Sequence, residues 1–365
     1  MNTHASGRGS SVAAVIKYLG SKRRLVPVLG ELCARAGAET ALDLFTGTTR
    51  VAQELKRRGA RVWANDTARY SEVLARCYVE TDAATVDEAA LADALAHLGS
   101  LPGRAGYFTE TFCHRSRYLQ PHNGARVDAI RDALDEHYAA SPLFPVLLTS
   151  LLEAADRVDS TTGVQMAYLK QWAPRSHNEL ELRRPALLSG AGSALRRDAL
   201  AAAQSVPEVD LAYLDPPYNQ HSYYRNYHVW ETLVAWDAPA HYGVACKRAD
   251  CRDPGTRSAF NSRPGMPAAL AAVVEAVRAR VLVLSHSDEA WLSLEDLAEI
   301  CRVRGHVEVL AFDSRRYVGA RIGIHDAAGR RVGRVGRLCN VEYLLVAGDR
   351  ADVQRVAGGA QIAAA

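Results

Sequence analysis

The sequence predicts an α/β fold: a mixed, mostly parallel sheet with helices on both faces, interrupted by a helical insertion. Three observations lead there. Residues 41–66 read as strand, tight turn, helix, strand, a unit that implies a parallel strand pair. A second apolar run, residues 209–214, ends in Asp215-Pro216-Pro217-Tyr218, so a buried strand delivers polar groups at its carboxyl end. Later apolar runs at 281–285, 306–312 and 341–346 supply further strands. The last two can pair antiparallel, which makes the sheet mixed.

Taken in order, Ala41-Leu42-Asp43-Leu44-Phe45 is the first strand and Thr46-Gly47-Thr48-Thr49 its turn. Residues 50–58 form the helix, with Gly59 as its stop. Ala60-Arg61-Val62-Trp63-Ala64 is the second strand, closed by Asn65-Asp66. Residues 81–200 do not continue the alternation. Residues 123–158 carry helical patterns broken near Pro142 and Pro145, and 160–185 is polar and basic. We therefore expect residues 13–80 and 195–350 to form a catalytic domain and 81–194 an inserted helical recognition region. Residues 222–236 and 268–280 read as helices, and 241–264 as a loop. Residues 1–12 and 351–365 read as disordered ends.

Composition bounds the function. The chain has 365 residues, 48% apolar and 23% charged, the balance of a soluble globular protein. No apolar run nears the roughly 20 residues of a membrane helix. The first residues lack the apolar core of a signal peptide. Seven scattered cysteines, an odd number, suggest free thiols in a reducing cytoplasm. Cys246 and Cys251 are the closest pair, but no second pair or histidine cluster completes a metal site, so no metal is expected. No Pro-Cys nucleophile for carbon methylation of cytosine stands out. A net charge of +3 neither requires nor excludes nucleic acid.

The tetrapeptide at Asp215 is the strongest chemical signal. An exocyclic amine on a base is a poor nucleophile because its lone pair is delocalised into the ring. A carboxylate and a backbone carbonyl can accept its hydrogens and draw the nitrogen towards tetrahedral geometry. Two prolines fix φ and stiffen the turn that would converge Asp215 and the Pro216 carbonyl. Tyr218 offers a flat face for a flipped base. An aspartate capping an ordinary strand-to-helix turn would look the same in isolation. The turn at 46–49 suits close backbone approach to a cofactor at the sheet edge, and Asp66 ends the next strand, where an acid can bind ribose hydroxyls. The three-glycine dinucleotide pattern is missing, which disfavours a dehydrogenase.

Lys17-Tyr18-Leu19-Gly20-Ser21-Lys22, Phe45-Thr46-Gly47 and the Asp215 tetrapeptide, in that order, resemble the motifs of Dam-type adenine-specific DNA methyltransferases. Residues 219–232, 159–165, 260–263 and 316–319 resemble one bacterial branch of that family. The resemblance spans about residues 15–347. It implies a methyltransferase fold and S-adenosylmethionine as cofactor, with S-adenosylhomocysteine as product. Tyr18, Gly20 and Lys22 would lie near the methionine part of the cofactor. Asp43, Phe45, Thr46, Gly47 and Thr48 would line its pocket, Asp66 would bind its ribose, and Asp198 would sit near its adenine. Asp215, Pro216, Pro217 and Tyr218 would handle the target base, and no covalent enzyme intermediate is needed. Thr49 departs from the pattern, since many members have a second glycine there; it is tolerable if φ stays negative.

Two basic segments suit phosphate contacts: one with Lys170 and Arg175, the other with Lys247, Arg248, Arg252, Arg257 and Arg263. Arg316 is expected to border the target-base pocket. His221 and His228 are expected to support rather than catalyse, and Tyr223, Tyr224 and Tyr227 to pack. The implied partner is double-stranded DNA. A cognate restriction endonuclease, a phage-defence system and a solitary regulatory role all stay open. So do amino groups of cytosine, adenine in RNA, and a non-catalytic cofactor-binding regulator.

Overall fold

The computed structural model describes residues 16–20, 22–220, 222–315 and 339–358. A seven-stranded sheet runs through its centre in the order β3-β2-β1-β4-β7-β9-β8. Its strands are β1 (Thr40–Asp43), β2 (Arg61–Asn65), β3 (Gly192–Leu195), β4 (Val209–Leu214), β7 (Ala279–Ser287), β8 (His306–Arg315) and β9 (Cys339–Gly348). The first five pair in parallel, and β9 runs antiparallel to both β7 and β8. Two short strands, β5 (His241–Tyr242) and β6 (Lys247–Arg248), form a separate hairpin inside the expected loop.

The helices we label are α1 (Val26–Ala36), α2 (Arg50–Arg57), α3 (Arg69–Ala75), α4 (Glu88–Ser100), α5 (Pro121–Tyr138), α6 (Phe144–Arg157), α7 (Ala199–Ser205), α8 (His228–Ala235), α9 (Met266–Ala276), α10 (Leu294–Cys301) and α11 (Arg350–Ala357). Alternate strand residues feed two cores, as a sheet covered on both faces requires. Ala41, Val62, Leu211 and Val281 pack with Leu29, Leu32 and Val353 on one face. Leu42, Ala212 and Leu282 pack with Ala202, Leu270 and Leu297 on the other.

A third core joins Tyr70, Tyr78, Leu91, Ile130, Leu151 and Trp230. It unites α3 to α6 with α8, so packing divides the molecule differently from chain order. α8 follows the Asp215-Pro216-Pro217-Tyr218 turn yet docks on the helices that precede that turn in the chain. The expected helix over 222–236 is two pieces, Tyr223–Asn226 and α8, separated at Tyr227, which leaves helical geometry with φ −127°.

Two expectations change. The end after Val353 is not disordered where it is described: α11 buries Val353, Val356 and Ala357 against the sheet. Its two valines outweigh the alanine-rich composition. Residues 359–365 and 1–12 lie outside the described residues. β3 was not anticipated, because Gly-Ser-Ala-Leu carries no β-branched or aromatic residue. It forms because Gly192 passes under the turn after α3: a side chain there would meet the Val79 carbonyl at 2.3 Å.

Candidate active site

The strand order reverses between β1 and β4, and an open crevice lies at their carboxyl ends. That crevice is where open α/β sheets bind ligands. Tyr18, Gly20, Lys22, Asp43, Phe45, Thr46, Gly47, Thr48, Asp66, Asp198, Asp215 and Pro217 all line it. Pro216 is buried beside it, and Tyr218 sits half-buried just outside the lining.

The loop after β1 is built around Asp43. One carboxylate oxygen accepts from the Thr46 hydroxyl at 2.9 Å and the Ala52 amide at 3.1 Å. The other, Oδ1, is buried with no partner among the described residues. Burial pushes this carboxyl up to about 7. Gly47 is required twice over: its φ is +50° and a Cβ would lie 3.1 Å from the Tyr18 ring. Its amide donates to Asp66 at 3.0 Å, and the Ala68 amide donates to the other Asp66 oxygen at 3.1 Å. Burial raises the Asp66 carboxyl, against the pull of those amides.

Thr49 overturns the condition placed on it. Its φ is +63°, the left-handed region a glycine occupies freely. The strain is held by a buried setting: the Thr49 amide donates to the Thr46 carbonyl at 2.7 Å, and the hydroxyl accepts from Gln53 at 3.0 Å. Asn65 was missed as a site residue. Its amide donates to the Leu44 and Arg197 carbonyls, both at 3.2 Å, and accepts from the Arg197 amide at 3.1 Å, tying three loops together. Asp198 caps α7 through the Leu200 amide at 2.9 Å while it also lines the cavity.

Tyr18 stacks against both Tyr227 at 4.7 Å and Tyr223 at 5.2 Å, which stack on each other at 6.4 Å, and the Leu19 amide donates to the Tyr227 hydroxyl at 2.6 Å. The 17–22 motif is thereby strapped to the segment after the catalytic turn. The 159–165 motif joins them, because Gln165 accepts from the Val229 amide at 2.8 Å. His228 is buried, with Nε2 at 3.0 Å from the Gln165 carbonyl, and burial pulls its pKa down to about 3. It is a neutral packing residue. Tyr223 and Tyr224 also line the cavity.

At the turn after β4, the Lys22 ammonium lies 3.3 Å from Asp215 and 2.9 Å from Glu342. It also sits 5.8 Å from the centre of the Tyr218 ring. Burial pushes the Asp215 carboxyl up to about 6, Lys22 draws it down, and Glu342 pushes it up. Burial opposes the charge on Lys22, but Asp215 and Glu342 outweigh it and hold the ammonium well above its usual range. Tyr218 meets His286 edge-on at 5.7 Å. His286 is 1% exposed, neither ring nitrogen has a partner among the described residues, and burial pulls it down to about 4. Glu342 and His286 were both missed. Glu342 alone carried a sequence signal, a carboxylate interrupting the apolar run 341–346, whereas His286 lies between two serines past the run 281–285.

The cations divide. Arg248 is 4% exposed, donating to both Asp237 oxygens at 2.7 Å and to Asp250 at 2.7 Å. It is a strut within the loop, which corrects its assignment to phosphate. Arg175 is committed to Asp159 through bonds of 2.9 and 2.6 Å. Lys170, Arg252, Arg257 and Arg263 are exposed, Arg252 lies flat on Tyr242 at 3.7 Å, and Lys247 is half-buried. Arg316 and His221 lie outside the described residues.

A family model described as D12 class N6 adenine-specific DNA methyltransferase matches residues 18–260. Modification methylase StsI of Streptococcus sanguinis is 27% identical over 323 residues, covering 83% of this chain and 49% of that protein. Type II methyltransferase M.NlaIII of Neisseria lactamica is 29% identical over 317 residues, covering 83% and 92%. Type II methyltransferase M.FokI of Planomicrobium okeanokoites is 26% identical over 318 residues, covering 80% and 47%. The chain thus spans about half the length of StsI and M.FokI and most of M.NlaIII. The matched stretch covers more than half of the chain and takes in Tyr18, Phe45, Asp66, Asp215 and Phe260, all of which line the cavity, and on that ground the chain belongs to the D12 class N6 adenine-specific DNA methyltransferase family.

Proposed function

We propose that this chain transfers a methyl group from S-adenosylmethionine to the exocyclic N6 of an adenine flipped out of double-stranded DNA. The observation that carries the proposal is Asp215: a carboxylate at the end of a buried strand, lining the same cavity as the Tyr18, Phe45 and Asp66 motifs. Family membership supplies the base, and the cavity supplies a fit to the cofactor. Asp43 presents a buried oxygen with no partner among the described residues, an acceptor suited to the ammonium of a methionine group. Asp66 accepts one amide on each oxygen and keeps lone pairs for ribose hydroxyls. Phe45 offers an apolar wall, braced edge-on by Phe260 at 5.1 Å.

When bound, S-adenosylmethionine supplies a methyl group activated by a sulfonium. The protein's part is position and electrostatics. Asp215 and the Pro216 carbonyl accept the two amine hydrogens, so lone-pair density returns to the nitrogen as it attacks. Lys22 favours the ionised form of Asp215, the form that can only accept. Pro216 and Pro217 hold the turn rigid. The exposed cations, Lys170, Arg252, Arg257 and Arg263, would meet phosphates. Relatives named as modification methylases support a restriction endonuclease as the cellular partner.

The test is nucleoside mass spectrometry of unmethylated DNA incubated with the full chain and S-adenosylmethionine. A peak of N6-methyladenine that requires the cofactor is the expected result. N4-methylcytosine would overturn the base, modification of RNA alone would overturn the polymer, and no product would overturn the activity.

A further inference from the structure

Three segments far apart in the chain meet at the catalytic carboxylate. Lys22 comes from the turn before α1, Asp215 from the end of β4, and Glu342 from β9. We infer that Glu342 is a positioning residue of the catalytic centre: it holds Lys22 beside Asp215, so that one ammonium is shared by two carboxylates. This rests on the reading of Asp215 as the amine's acceptor.

The geometry is set by strand register. β4 pairs with β7 through Leu214 and Leu284, and β7 pairs with β9 through Ser287 and Glu342. Continuing the β4 register by one residue brings Asp215 beside Ser285, and alternation puts Ser285 and Ser287 on one sheet face. Glu342 therefore shares the face of Asp215, one strand beyond β7. Lys22 bridges them, its side chain 7% exposed and that of Glu342 17%. The backbone of Lys22 is pinned, because its carbonyl accepts the Leu25 and Val26 amides at 2.7 and 2.9 Å and so starts α1. The long side chain, by contrast, has freedom that its partners must remove. With Asp215 alone as partner, the ammonium would be held from one side at 3.3 Å. Glu342 takes the shorter bond, 2.9 Å, and fixes the ammonium from the opposite strand.

The arrangement sets the charge on Asp215 in two opposed ways. Lys22 favours the carboxylate; Glu342 anchors Lys22 but adds a negative charge of its own. Other groups also face this site. Tyr213 on β4, Tyr218 on the catalytic turn and Tyr223 beyond it have hydroxyls held above their usual range by burial. His286 on β7 is kept neutral by burial. Asp43, at the end of β1, titrates in the same region as Asp215 but bonds to Thr46 and Ala52 rather than to Lys22. Saturating cofactor separates its contribution, because Asp43 acts on cofactor binding.

The experiment is the pH dependence of single-turnover adenine methylation by the full chain at saturating S-adenosylmethionine. Wild type is compared with Glu342→Gln, which keeps the bond to Lys22 and removes the charge, and with Lys22→Met. Activity rises with pH as Asp215 ionises. Glu342→Gln should move that acidic limb down by roughly one pH unit, and Lys22→Met should move it up. Glu342→Asp keeps the charge but is one methylene short of Lys22, and should not move the limb down as Glu342→Gln does. A Glu342→Gln limb that coincides with wild type or moves up overturns the inference, as does a Lys22→Met limb that does not rise. A role in folding alone would lower amplitude without moving the limb. If wild type makes no N6-methyladenine, it is the proposed function that fails.

Discussion

The loops after β1 and β2 and the edge formed by β4, β7 and β9 line one cavity, yet they are assembled in opposite ways. On the first side, the Gly47 amide reaches Asp66 across 19 residues of chain. On the second, Lys22 reaches Glu342 across 320. The near side is fixed by turn geometry, with Gly47 and Thr49 both at positive φ and Asp43 bonded inside its own loop. The far side exists only once the whole sheet has formed. A binding pocket made of neighbours and a catalytic charge made of strangers should fail separately, and that separation can be tested.

The largest effect should come from Asp215→Ala. In the proposed mechanism it removes the acceptor that acts in the transition state, so turnover should fall by on the order of 10³-fold. S-adenosylmethionine affinity, measured by calorimetry, should stay near wild type. Loss of both together would show that the two sides are one unit.

Asp43→Asn should do the reverse. Burial raises this carboxyl to about 7 from an ordinary 3.8. In strong acid both folded and unfolded states are protonated there, and the group costs nothing. As pH rises from the ordinary value to about 7, the unfolded chain releases a proton that the folded one keeps, so stability falls. Asparagine cannot ionise. The ligand-free variant should therefore melt higher than wild type in mildly alkaline buffer and match it in acid. Its cofactor affinity should drop, because the acceptor no longer carries charge. Equal melting at alkaline pH would mean that Asp43 is not buried as a carboxylate.

A smaller contrast lies between the β5-β6 hairpin and the loop that follows it. Arg248→Ala breaks a buried fork whose partners Asp237 and Asp250 are partly exposed, so about 2 kcal/mol of stability should be lost. The salt dependence of DNA binding should not change. Arg257→Ala should leave the melting temperature alone and flatten the salt slope by about one unit. Exchange of these two outcomes would mean that Arg248, not Arg257, faces phosphate.

Much of the near side was legible because its signals are local. A strand, a glycine turn and a capped helix are written in consecutive residues, and Gly47 and Gly59 stand where positive φ is needed. The tetrapeptide at Asp215 was legible for the same reason. β3 was not, since Gly192 is chosen by the backbone of Val79 passing over it, not by strand propensity. Nor was the packing of α11, where two valines among alanines find an apolar face waiting.

The sequence by itself determined the parallel sheet, the order of the motifs along it and the turn that presents Asp215, because steric limits on short stretches of backbone decide these. The tertiary structure alone decided which charges work and which brace. Arg248 and Arg257 look alike in the chain, as do Glu342 and Glu308 on neighbouring strands. What separates them is how much water each loses and which partner each meets across the sheet. That depends on register between segments that only the folded sheet brings together.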